Sequence, residues 1–112
     1  NGAPLDGGWI NTDAMVADAR SQRRLFVPVA RAAPGALLVY PRPGGQSRAP
    51  GHVGIVVEAD ANGRATRVLH CAPDNYLLTP ANGQARSAIV ETDTAHFDAV
   101  PTTHVVMWKA FA

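Results

Sequence analysis

Short apolar runs separated by Gly- and Pro-rich breaks fill most of the chain, and only one stretch has the character of a helix. Residues 12–24 contain neither Gly nor Pro, and Ala14, Ala17 and Ala19 supply side chains small enough to lie close against a sheet. Asn11, Thr12 and Asp13 are three good N-cap types in succession. Acid early and base late, from Asp13 to Arg20, Arg23 and Arg24, suits the helix dipole. The remaining pattern predicts strands. Residues 26–29 are extended and at an edge, because Pro28 cannot donate to a ladder. After the Pro34-Gly35 turn, residues 36–40 form a short apolar strand. Residues 52–58 carry β-branched Val53, Ile55, Val56 and Val57, Asn62-Gly63 marks a hairpin turn, and residues 67–71 return. Strands over 87–91 and 103–109 follow, with loops over 41–51 and 72–86. One helix packed on an antiparallel sheet of about five strands is an α+β architecture.

Composition narrows the function classes. The chain has 112 residues, which suits one domain over 1–112, and 46% of them are hydrophobic, enough for a real core. With a formal charge of +1 and no block of like charge, neither nucleic acid nor an anionic membrane is an expected partner. No run approaches the roughly 20 apolar residues of a membrane span. No signal peptide is visible and the first residue is Asn1, which reads as a mature or excised domain. A single cysteine, Cys71, excludes an internal disulfide framework.

The candidate chemistry lies in the histidines. Along a strand His52, Gly54 and Val56 share one face, and Gly54 leaves that face bare beside His52, with room for a substrate or a packed helix. A hairpin centred on Ala61 brings position 52 opposite position 70, give or take two residues, on the same face. Two neighbouring imidazoles persist when one fixes the tautomer of the other, which is the base-and-orienter half of a catalytic triad; a half-buried structural His pair is the other reading. Cys71 alternates to the opposite face from His70 and reads as a buried, inert thiol. That alternation, and the missing CxxC or HxxxH spacing, also argue against zinc. His96 and His104 match no motif, and His104 reads as structural or exposed.

Pro34-Gly35 before a hydrophobic strand, then His52-Val53-Gly54-Ile55-Val56, then Val68-Leu69-His70, resembles the NlpC/P60 papain-like cysteine peptidases. In that family an upstream helix opens with Asp-Cys; here the corresponding pair is Asp13-Ala14. The resemblance implies a papain-like fold and a Cys-His-His triad, with Ala14 at the nucleophile position, His52 as base and His70 as orienter. It implies an inactive Cys-to-Ala variant, engineered or natural. A cysteine in the first turn of a helix would feel the positive dipole end and carry more thiolate. The implied activity is hydrolysis of an amide bond in a peptidoglycan stem peptide, with no metal or other cofactor. Trp9, Asp13, Asp74 and Asn75 are candidates to contact that peptide; Trp9 could equally be a packing residue, and Asp74-Asn75 a turn. The expected setting is secreted, periplasmic or at the cell wall, with an immunity protein as partner if the domain is a delivered toxin. Met15-Val16-Ala17 replaces the family's "SGF", and Ala36 stands where Asp is common. A non-catalytic binding module, or an amidase or acyltransferase on another substrate, are the competing classes.

Overall fold

The computed structural model describes residues 11–44, 51–71 and 89–112. In chain order the elements are α1 (Thr12–Arg20), β1 (Phe26–Pro28), β2 (Leu37–Tyr40), β3 (His52–Ala59), β4 (Ala65–Cys71), β5 (Ile89–Thr92), α2 (Ala95–Asp98) and β6 (His104–Trp108), followed by a 3-10 turn over Lys109–Phe111. The strands form one antiparallel sheet in the order β1-β6-β2-β3-β4-β5, six strands rather than about five. The fold is α+β. Among the described residues no helix is long and apolar enough to cross a membrane.

Helix α1 starts where the cap residues predict. The Asn11 carboxamide oxygen accepts the Ala14 N–H at 2.8 Å, satisfying one of the orphan donors of the first turn. The helix stops at Arg20, four residues short of the expected end, and Asp18 is the cause. Its carboxylate accepts the backbone N–H groups of Arg24, Leu25 and Phe26, each at 2.9 Å, while its carbonyl accepts those of Ser21 and Arg23. Arg23 takes φ +53°, in the left-handed region, to let the chain double back. The reversal delivers Phe26, 1% exposed, to the edge strand β1, where its ring lies 4.6 Å from that of Trp108.

The sheet divides the core in two. Cross-strand partners share a face, so Leu37 and Val39 with Val53, Ile55 and Val106 lie on one side. There Met15, Val16 and Ala19 of α1 pack against Leu37, Val39, Val106 and Phe26. Leu38, Tyr40, His52, Gly54 and His70 lie on the other side, where Phe97 of α2 packs with Leu38, Tyr40, Val56 and Val68. The short helix α2 was not expected from the pattern, yet it supplies the cover of this second face.

Candidate active site

Gly54, not His52, stands opposite His70, a two-residue offset from the central expectation that keeps both rings on one face. The offset comes from the turn, which is centred on Asn62 rather than Ala61 because Ala59 pairs with Ala65; the irregularity around Glu58 leaves the register the same on both sides. The turn is held by Asp60, whose carboxylate accepts the N–H groups of Asn62 and Arg64, with Gly63 at φ +80°. The rings meet directly: His52 Nε2 and His70 Nδ1 are 2.8 Å apart. His70 is 4% exposed and its Nε2 lies 2.9 Å from Thr92 Oγ1 on β5.

The network assigns the tautomers. The single hydroxyl hydrogen of Thr92 goes to the Asp93 carbonyl at 2.7 Å, so Thr92 Oγ1 accepts from His70 Nε2–H. His70 Nδ1 then carries a lone pair and accepts from His52 Nε2–H. The lone pair left over, on His52 Nδ1, is the basic atom of the cluster. Burial, then the neighbouring His96 and His70, push the His52 pKa down from 6.5 to about 4. Burial and His96 lower that of His70 as well.

His96, which sequence reasoning left without a role, completes the cluster. Its ring centroid is 4.6 Å from that of His52 and 5.5 Å from that of His70, and its Nε2 lies 3.0 Å from the Tyr40 hydroxyl. Tyr40 is 7% exposed, and burial raises its pKa, so it remains a neutral phenol. Phe97, 0% exposed, stacks on His52 at 5.2 Å and fills the space that Gly54 leaves. A Cβ at position 54 would come within 2.6 Å of Val68 Cγ2, 3.0 Å of Phe97 Cζ and 3.1 Å of His70 Cβ. The bare face at Gly54 therefore receives a packed helix, one of the two uses the alternation allowed. Among the described residues no group of three or more His, Cys, Asp and Glu is arranged to hold a metal ion. The ring nitrogens explain this: His52 Nε2 and His70 Nδ1 face each other across one proton, and His96 Nε2 faces Tyr40.

Ala14 is 5% exposed in the first turn of α1, as expected, but the apolar stripe of α1 covers the opposite face of the sheet. On a helix of 3.6 residues per turn Ala14 lies roughly 140° from the centre of the Met15–Val16–Ala19 stripe. The amino end of α1 does reach the end of β3 where His52 stands, because Thr12 abuts the backbone of Gly51. The Asp13 carboxylate accepts the Arg42 N–H at 2.7 Å. Cys71 is a correction, for it is exposed rather than buried in the core. It follows His70 onto the face of Ile55 and Leu69, which α1 does not cover on this half of the sheet and where both are exposed. His104, partly buried, pairs with Val39. Trp9, Asp74 and Asn75 lie outside the described residues.

The cluster sets a pH dependence of stability. The folded-state pKa of His52 lies below its unfolded value, so protons favour the unfolded chain. Stability is full above about pH 6.5 and declines as pH falls toward 4, by on the order of 2–3 kcal/mol for this one ring. Urea unfolding at pH 7.5 and 4.5 measures the loss, and His52→Phe flattens it. Equal slopes in the two proteins would assign the acid sensitivity elsewhere. No protein-family model, curated protein sequence or solved structure matches the chain, so its site stands on this geometry alone.

Proposed function

We propose that this domain is a catalytically silent relative of the NlpC/P60 papain-like hydrolases, which holds a peptidoglycan stem peptide rather than cutting it. The supporting observation is the ordered relay His52–His70–Thr92, with a 2.8 Å bond between the imidazoles and the base atom identified as His52 Nδ1. That is the arrangement a thiol hydrolase needs in its base and orienter. Two further facts favour binding over cleavage. Position 14 carries Ala on a helix packed against the other face of the sheet. His52, with a pKa near 4, is a weak general base at neutral pH, and no thiolate stands by to raise it.

The second reading is an amide hydrolase that lost only its sulfur. It is favoured by the first-turn position of Ala14, by the Asn11 cap that orders that turn, and by Thr12 reaching Gly51 next to His52. The variant Ala14→Cys separates the two. The silent-domain reading expects no thiol-dependent release of fragments from purified sacculi, together with retained binding of a soluble stem tripeptide by calorimetry. Iodoacetamide-sensitive lysis by Ala14→Cys would establish the hydrolase reading instead. Failure of both lysis and tripeptide binding would remove peptidoglycan from consideration.

A further inference from the structure

The third imidazole gives the cluster a property that the base-and-orienter pair alone lacks. His52, His70 and His96 place their ring centroids 4.6, 5.1 and 5.5 Å from one another, on β3, β4 and α2. His52 is only half-buried and His96 is exposed, so the cluster is not sealed from solvent. The groups facing His52 are Tyr40 from β2, His70 from β4, and His96 and Phe97 from α2. The acidic side chains of the adjoining turn are engaged elsewhere: Asp93 accepts the Ala95 N–H and Asp98 accepts the Thr94 hydroxyl. Glu91 pairs with Arg67, and Leu69, opposite Glu91, puts it on the other face of the sheet.

We infer that His52, His96 and Tyr40 form a binding site for a carboxylate, taken up together with a proton. Without an anion the rings favour the neutral state, since a charge on one opposes a charge on the next. A carboxylate set between His52 and His96 reverses that preference. His52 Nδ1 takes a proton from solvent and becomes a donor. His96 needs no added proton: its Nε2 accepts the Tyr40 hydroxyl hydrogen, which leaves Nδ1–H to donate outward. The result is a cradle of charge-assisted donors around an anion, sealed on its inner side by Phe97. Lowering of the His52 pKa in the anion-free state is consistent with this but is not its basis. The inference rests on the rings and stands apart from the stem-peptide reading. If that reading holds, the anion is a carboxylate of the peptide.

Acetate, with acetamide as its neutral isostere, is the probe. Ring resonances of His52 and His96, followed by NMR between pH 7.5 and 5.5, are expected to shift on addition of acetate and not of acetamide. Because one proton enters with each anion, affinity rises by about tenfold per pH unit lost while the free ring is neutral and the bound ring charged. His52→Phe, which removes the ring that takes the proton, should abolish the pH-dependent part, while His96→Gln, at an exposed position, and Tyr40→Phe, which releases the His96 tautomer, should each weaken binding several-fold. An equal response to acetamide, a pH-independent affinity, or undiminished binding in folded His96→Gln overturns the site. Because acetate carries no peptide, its failure leaves the stem-peptide reading to the tripeptide experiment, and its success does not establish that reading.

Discussion

Asp18→Ala is expected to destabilise the fold by about 3–5 kcal/mol, a large share of the roughly 5–15 kcal/mol that holds a domain together. The side chain is 5% exposed and accepts three successive backbone N–H groups, from Arg24, Leu25 and Phe26. Alanine leaves all three donors without that acceptor at the point where α1 turns back into β1. Burial pushes the Asp18 pKa up, but the three N–H groups and the nearby Arg24 charge outweigh it, and the net shift is downward. The sign follows: the contribution is present above the unfolded value near 3.8 and is lost as pH falls below it, a more acid window than that of His52. Asp18→Asn keeps one acceptor oxygen and turns an amide N–H₂ toward the remaining donors, so it should recover less than half of the loss. Urea unfolding at pH 7 measures both variants, and a cost below 1 kcal/mol for Asp18→Ala would show that water takes over the three donors.

The same residue explains why the helix boundary was misread. Residues 21–24 contain nothing that forbids helix, and the Arg residues there suit a helix carboxyl end. What ends the helix is a side chain within it that bonds to backbone beyond it, a contact that local propensity does not encode. The His52–His70 pairing was legible because strand alternation and a hairpin turn are both local, and a two-residue offset preserves the face. His96 was not legible, because it arrives through a non-local fold-back on a four-residue helix. One signal did point to it. A Gly within an otherwise β-branched strand calls for something large to cover it, and Ala95-His96-Phe97-Asp98 after Asp93-Thr94 holds one of only three Phe in the chain. The placement of α1 was the least legible feature. Its period identifies the apolar stripe but says nothing about which face of a two-sided sheet receives it.

Phe97→Ala is the sharpest test of how the second face is built. Phe97 is 0% exposed and touches the rings of Tyr40, His52, His70 and His96, at centroid distances of 5.9, 5.2, 5.5 and 5.6 Å. Truncation removes a buried aromatic and leaves a void over Gly54, at a cost of about 3–5 kcal/mol. The hold of α2 on the sheet weakens with it, since Phe97 is the one buried residue of that helix. Water can then reach the rings, so the desolvation that depresses the His52 pKa is relieved and the value rises toward 6.5. The two readouts therefore move in opposite senses: unfolding free energy at pH 7.5 falls, while the His52 titration midpoint climbs. Phe97→Leu fills most of the void and should show a smaller change in both. Loss of stability with an unmoved midpoint would mean that the ring cluster is dried by something other than this side chain, and that α2 is a cover for Gly54 alone.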